Sequence, residues 1–358
     1  MKILHVYRSM GQGGAQKIIY QLCKDVKCAQ QYVISQGGVY VEQLKDCGVQ
    51  HYEIPDMERK HPMIMLLCIF RIMRVCIRED IDIIHAHHRM AAFYARIVSG
   101  ILKKKYIYTA HNVFYGKKRL LRFALKKGTI IAVGEGVKRN LIEEYGIRQD
   151  RIRVVYNAVD IVHREEAVPI LLQEKNKGNC LVGTIGRISE QKGMDVFLYA
   201  MAEVMKAYVK VRAVVVGDGE DANTVKALAG QLKIEDKVLF LGYQKNVIDI
   251  IGSLDLVVSA ARWEGLPLTP IEVFSQRRTM IATDIAGNRE IIRDGVNGLL
   301  FTKDDSKELA DKIKLLLSEE GLKKRLEEQA YITYTFNFSY DKFIKSYEEL
   351  YLEMDRIC

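Results

Sequence analysis

Two cations and two carboxylates stand at spacings that chemistry can use. Arg187 and Lys192 lie five residues apart in the stretch Gly183-Thr184-Ile185-Gly186-Arg187-Ile188-Ser189-Glu190-Gln191-Lys192-Gly193, directly after an apolar run. At the carboxyl end of a parallel strand such a pair faces a ligand crevice, where the guanidinium grips phosphate oxygens as a fork and the ammonium acts as a point charge. Two fixed positive charges are what a departing diphosphate needs when no metal is present. The alternative is a pair of solvated surface cations, and the flanking glycines and strand favour the functional reading. Glu264 and Glu272 lie eight apart in Ser259-Ala260-Ala261-Arg262-Trp263-Glu264-Gly265-Leu266-Pro267-Leu268-Thr269-Pro270-Ile271-Glu272, the first in a Gly/Pro loop and the second inside the helix that follows. Both then border one cleft, as strong ionised acceptors for sugar and ribose hydroxyls. For Glu264 alone, a helix-capping or solvated role is the ordinary alternative.

Glycines mark two further turns or loops. Gly217-Asp218-Gly219-Glu220 follows Val214-Val215-Val216, and Gly11-Gln12-Gly13-Gly14-Ala15 lies between the first strand and the first helix. Backbone N–H groups at such a helix start can approach phosphate or sugar oxygens with no Cβ in the way. The loop is not a G-x-G-x-x-G dinucleotide fingerprint, and no acidic residue closes the second strand at Tyr32 to Ser35. A tight turn with permissive glycines is an equal alternative. The cluster His85-Ala86-His87-His88 raises a metal site, but His87 and His88 point to opposite faces if extended and no Cys or carboxylate cluster stands nearby in sequence. Crevice-facing imidazoles that touch substrate, or ordinary hydrogen-bonded histidines, suit these residues better, and no metal is expected.

The elements that must position these groups are short β-branched runs alternating with helix-length segments: Ile3 to Tyr7, Tyr32 to Ser35, Ile81 to His85, Tyr106 to Thr109, Thr129 to Val133 and Arg153 to Val155. A second series covers Cys180 to Ile185, Val211 to Val216, Val238 to Leu241, Leu254 to Val258, Thr279 to Thr283 and Gly298 to Phe301. This alternation predicts an α/β fold of two doubly wound, Rossmann-like parallel-sheet domains. The 358 residues suit two domains at roughly 150 residues each. Residues 163–179 read as a connector, Ser306 to Leu317 as the last helix of the second domain, and Tyr340 to Met354 as another helix with an apolar stripe. The expected division is 1–165, with the C-terminal helix 340–358 packed back onto it, and 166–339.

Charge is uneven. Residues 1–165 hold 28 Lys and Arg against 15 Asp and Glu, whereas the remainder is slightly acidic. An anionic partner for the first half follows. His61 to Arg78 reads as an amphipathic helix carrying Arg71, Arg74 and Arg78, and Lys103-Lys104-Lys105 and Phe114 to Lys127 add basic and aromatic groups. Such a surface suits anionic lipid headgroups; a core helix beside solvated lysines is an equal alternative. No nucleic-acid-binding module is visible. The apolar run from Pro62 stops at Arg71, short of the roughly 20 residues a bilayer crossing needs. The N-terminus lacks a secretory h-region, and seven cysteines without a CxxC pair suit reduced thiols. The expectation is a cytoplasmic protein, peripheral on the inner membrane face.

The stretch from Glu264 to Glu272 resembles the E-x7-E motif of retaining GT-B glycosyltransferases of the family 4 type (glycosyl transferases group 1). The order of other motifs matches too: Gly13-Gly14-Ala15, Thr109-Ala110-His111-Asn112, Tyr156-Asn157-Ala158-Val159-Asp160, Gly186-Arg187 to Lys192-Gly193, Gly217-Asp218-Gly219, and Ala286-Gly287-Asn288-Arg289-Glu290. Ala158 replaces a usual glycine, Ser275 to Thr279 lacks the usual Gly and Pro, and Trp263 stands where smaller aromatics or polar residues are common.

The resemblance implies a GT-B fold whose two sheets face an interdomain cleft, and a metal-independent hexosyltransferase needing no cofactor. Arg187 and Lys192 would bind the diphosphate of a nucleotide-sugar, Glu264 the donor sugar and Glu272 the ribose. Amides near Gly265, Leu266 and Pro267 would help hold the phosphates, with Gly217 beside them, while Gly13, Gly14 and His111 would cover the sugar from the first domain. His111 is the group expected near the reacting carbon. Asp80-Ile81-Asp82 sits at a strand start and is not a D-x-D metal site. The implied donor is a UDP-sugar first and a GDP-sugar second, and the acceptor a glycan or lipid-linked glycan of cell-surface polysaccharide synthesis. A nucleotide-sugar epimerase on the same fold and a catalytically silent partner protein are the rivals.

Overall fold

Strands and helices alternate through most of the chain, because short β-branched runs bury both faces in parallel sheets while each helix buries one stripe against them. The computed structural model describes residues 1–59, 61–116, 118–161 and 168–356. They form two units that divide between Ala158 and Val159, the segment from Tyr340 returning to the first. The boundary expected between residues 165 and 166 lies outside the described residues.

The first unit runs β1 (Lys2–Val6), α1 (Gly14–Asp25), β2 (Gln30–Ser35), α2 (Tyr40–Asp46), β3 (Gln50–Glu53), α3 (Pro62–Arg78), β4 (Ile83–Ala86), α4 (Arg89–Leu102), β5 (Lys105–Ala110), α5 (Lys118–Leu125), β6 (Thr129–Ala132), α6 (Glu135–Tyr145) and β7 (Ile152–Val154). Its sheet has the order β3-β2-β1-β4-β5-β6-β7 with every pair parallel. The second unit runs α7 (Pro169–Asn176), β8 (Cys180–Ile185), α8 (Met194–Ala207), β9 (Val211–Val216), α9 (Ala222–Gln231), β10 (Val238–Gly242), α10 (Val247–Ser253), β11 (Leu256–Ser259), α11 (Leu268–Ser275), β12 (Met280–Thr283), α12 (Ala286–Arg289), β13 (Leu299–Phe301), α13 (Ser306–Ser318) and α14 (Glu320–Asn337). Its parallel sheet has the order β10-β9-β8-β11-β12-β13. Each order reverses direction beside its first strand, at β1/β4 and at β8/β11. In open α/β sheets, ligands bind at the carboxyl ends of the strands at such a point.

Three elements differ from the sequence expectation. β3 reads Gln-His-Tyr-Glu with no apolar alternation; it is an edge strand held by its pairing to β2. The last helix of the second unit is α14, not the helix at 306–317: it buries only Leu326 and Ala330, too little to mark a stripe in sequence. The connector contains helix α7, begun by Pro169 in its first turn.

The final helix, α15 (Tyr340–Arg356), packs on the first unit through Phe343, Tyr347, Leu350, Tyr351 and Met354. Tyr351 OH meets Nδ1 of His85 at 2.8 Å, and Tyr340 OH donates to Asp25 at 2.6 Å. His85 itself stands opposite His5 in the β1–β4 register, and both are fully buried, as is His87 beside them.

Burial disfavours the charged imidazolium, so the pKa of His5 falls from 6.5 to about 4, and those of His85 and His87 are pushed well down. Each of these groups takes up a proton more readily when the chain unfolds. Stability from their neutral burial is therefore whole above the unfolded value and drains away as pH falls from 6.5 toward 4. The slope is on the order of 1.4 kcal/mol per pH unit for each histidine that titrates only on unfolding. Urea unfolding monitored at pH 7.5 and 5.5 is expected to show a lower midpoint at pH 5.5; an unchanged midpoint would contradict this reading.

Candidate active site

The second unit places its charged residues by pressing loop backbones together. The chain leaves β8 through Gly186 and Arg187 and enters α8 after Gly193, whose φ is +60° and whose added Cβ would stand 2.1 Å from the carbonyl oxygen of Ala260. Only glycine permits this approach between the loops after β8 and β11. Side chains then fasten them. Gln191 donates to the Trp263 carbonyl at 2.8 Å, and the Arg262 amide donates to the Gln191 carbonyl at 2.8 Å. The Arg262 guanidinium reaches Asp195 and Asp304, each at 2.7 Å, and the Glu190 carbonyl. The outcome is a contact between Lys192 Nζ and Glu264 Oε1 of 2.5 Å, with both side chains largely shielded.

Gly217, at the end of β9, has φ +133°, and a Cβ there would meet the Gly186 carbonyl oxygen at 1.9 Å. The loop after β9 is thereby seated against the Arg187 loop, and Arg187 pairs with Glu220 at 2.8 Å where both remain more than half exposed. Lys192, Glu264, Arg187 and Gly217 are thus gathered at the carboxyl ends of adjacent strands. Gly265, Leu266 and Pro267 are buried and lead into α11, whose first turn carries no acidic side chain. The N–H groups of such a first turn lack helical partners and favour an anion. Glu272 is buried on that helix. The turn from α11 to β12, without its usual glycine, is made by Arg277 at φ +53°, its guanidinium 3.7 Å from the centre of the Tyr331 ring. The part that Asp195 and Asp304 play in this site was not foreseeable, because it runs through long-range contacts with Arg262.

In the first unit, Gly13 precedes α1 and Gly14 is its first residue, again without an acidic group in the first turn. His111 follows β5 directly, so it shares the carboxyl edge of the sheet with Gly13 and Gly14. A row of hydrogen bonds runs behind it: His111 Nε2 to His87 Nδ1 at 3.0 Å, His87 Nε2 to His5 Nδ1 at 2.8 Å, and His5 Nε2 to Gln31 Oε1 at 2.9 Å. His85 lies beside the row, bonded to Thr109 at 2.7 Å and to Tyr351. Burial lowers the pKa of His111 to about 3, so it is neutral. His88 turns away, its Nδ1 accepting from the Met90 amide at the start of α4.

His5 is the residue that sequence spacing missed; it joins the others only through strand pairing. Nitrogens of His5, His85 and His87 come within 4.8 Å of one another, a grouping of imidazoles with no Cys or carboxylate in it. Every ring nitrogen of these three already has a hydrogen-bond partner. Asp80 and Asp82 stand at the opposite end of β4, paired with Lys104 and with the Lys2 amide.

The chain is similar to N-acetyl-alpha-D-glucosaminyl L-malate synthase of Bacillus anthracis, with 26% identity over 311 residues, 83% of this chain and 81% of that one. Among solved structures, the Anabaena protein HepE in complex with UDP-glucose superposes with a TM-score of 0.87 at 22% identity, covering 99% of this chain and 100% of that one. The apo lipopolysaccharide outer core galactosyltransferase WaaB superposes with a TM-score of 0.73 at 17% identity, covering 99% and 100%. These likenesses give the fold, GT-B. Residues 12–163 match the model described as Glycosyltransferase Family 4 and residues 172–333 the model described as Glycosyl transferases group 1, and the chain belongs to this group of glycosyltransferases.

Proposed function

We propose that this glycosyltransferase moves a sugar from a nucleoside diphosphate donor, a UDP-sugar before a GDP-sugar, to a hydroxyl of a glycan or lipid-linked glycan, with retention and without a metal. The observation that carries the reading is the Lys192–Glu264 contact beside Arg187 at the ends of β8 and β11. An ammonium has three donors; one is taken by Glu264, and two are left for diphosphate oxygens. The Arg187–Glu220 pair is exposed, and such pairs are worth about 0–1 kcal/mol, so a diphosphate recruits the guanidinium at little cost. Glu264, still paired, accepts from donor-sugar hydroxyls, and Glu272 accepts from the ribose. The N-terminal turn of α11 adds amides for the phosphates.

In this mechanism the bond from the anomeric carbon to the phosphate oxygen breaks, the acceptor's hydroxyl oxygen bonds to that carbon on the same face, and the departing phosphate oxygen takes the acceptor's proton. The side chains stabilise charge and fix positions, with no protein nucleophile. The UDP-glucose bound in the Anabaena structure supports the UDP-sugar choice, and the lipopolysaccharide role in WaaB's name supports a glycan acceptor.

A second observation supports a membrane-borne acceptor. Helix α3 leaves Met63, Leu66, Phe70 and Ile77 between 59% and 69% exposed, with Arg71, Arg74 and Arg78 also exposed. Helix α5, with exposed Phe123, Arg119 and Arg122, packs against the same helix α4 as α3 does. Apolar side chains flanked by cations suit insertion at an anionic lipid surface, where each Lys or Arg contributes roughly 1 kcal/mol. No helix among the described residues is long and apolar enough to cross a membrane.

Arg187→Ala and Lys192→Ala are each expected to lower kcat/KM for transfer by about 10²–10³-fold, the usual loss for a preorganised charge-stabilising donor. A near-wild-type rate in either variant would overturn the assignment. In liposome sedimentation at low salt, the protein is expected to pellet with anionic but not neutral vesicles, and Leu66→Asp with Phe70→Asp to abolish the difference. Equal partition of the wild type between the two vesicle types would refute membrane docking.

A further inference from the structure

The protonated nitrogen of His111 decides what that side chain can recognise, and the hydrogen bonds behind it determine which nitrogen that is. Gln31 is buried, and its Nε2 donates to the Ala29 carbonyl at 3.3 Å. Its Oε1 is therefore the atom 2.9 Å from Nε2 of His5; a flipped amide would set two oxygens against each other. An amide oxygen only accepts, so Nε2 of His5 carries a proton and, in a neutral ring, Nδ1 is a lone pair. That lone pair lies 2.8 Å from Nε2 of His87, which must donate. Nδ1 of His87 is then a lone pair too, and Nε2 of His111, 3.0 Å away, must donate to it. Nδ1 of His111 is left as an acceptor, with no hydrogen-bond partner among the described residues. The sequence of donors holds because burial keeps all three rings neutral; an imidazolium would present a donor on both sides.

We propose that Gln31, His5 and His87 are positioning residues that lock His111 in its Nε2–H tautomer, so that it offers substrate a lone pair and recognises a hydroxyl, not a phosphate oxygen. The substrate half of this statement rests on the glycosyltransferase site proposed above. A lone pair repels an anionic phosphate and accepts from a sugar hydroxyl, so the row of histidines assigns His111 to the sugar. Gln31, His5 and His87 act through His111, each by the hydrogen bond to its neighbour in the row. The side chain that sets the direction is a glutamine three residues distant in the row, on the neighbouring strand β2.

The test is long-range proton–nitrogen NMR on the full-length protein labelled with ¹⁵N-histidine, with His111→Phe assigning the His111 signals among the eight histidines. At neutral pH, His5, His87 and His111 are expected to show the Nε2–H form. Gln31→Glu, which keeps an acceptor at the end of the row, is expected to retain that pattern, whereas Gln31→Leu shifts His111 toward a mixture of tautomers. Transfer is expected to slow several-fold in Gln31→Leu and to recover in Gln31→Glu, a rescue that a packing role alone does not produce. An Nδ1–H form of His111 in the wild type, or a His111 tautomer unmoved in a folded Gln31→Leu, would overturn the proposal. The wild-type spectrum decides the tautomer even where a variant fails to fold. It uses no substrate, so it stands apart from the transferase assignment, which falls instead if Arg187→Ala turns over normally.

Discussion

The near-contact of two peptide backbones, Gly193 against the carbonyl of Ala260, is the constraint from which the charged site follows. With a Cβ only 2.1 Å from that oxygen, any other residue would force the loops after β8 and β11 apart. Their separation sets the reach of Lys192 to Glu264, and the Arg262 clamp on Asp195 and Asp304 holds it. The pair is a joint product of two loops that are distant in sequence and adjacent at the point where strand order reverses.

Electrostatics divides the labour between the two units. The second collects cations, of which one is shielded and already paired and the other is exposed and easily recruited. That combination suits a ligand whose negative charge grows during reaction, because the preorganised cation costs no rearrangement when the charge develops. The first unit holds His5, His85, His87 and His111 neutral by burial, so the edge bearing Gly13, Gly14 and His111 offers dipoles and a lone pair in place of full charge. Its cations are instead spread over the outer helices α3 and α5, beside exposed apolar side chains.

Much of this was legible in the sequence where the signal is local. Strands β8 and β9 match their expected bounds because apolar runs with glycine or polar borders are strand-like in any context. Arg187, Lys192, Glu264 and Glu272 stood out because each lies within a few residues of a strand end or helix start. What escaped notice depends on long-range pairing. His5 meets His85 through the β1–β4 register, and Asp195 and Asp304 meet at Arg262. β3 is polar and stabilised by its neighbour, α14 buries too little to leave a stripe, and the turn at Arg277 breaks the expectation of a glycine where the backbone enters the left-handed region.

The proposed role of Arg187 and Lys192, neutralising a nucleoside diphosphate, makes the charge of the ligand the quantity to vary. Calorimetry tests that role most directly, by comparing the affinity of UDP with that of uridine for the wild type and for Lys192→Ala. UDP is expected to bind the wild type far more tightly than uridine does, and the substitution to remove most of this advantage while leaving uridine affinity nearly unchanged. An advantage for UDP that survives intact in Lys192→Ala and in Arg187→Ala would contradict it.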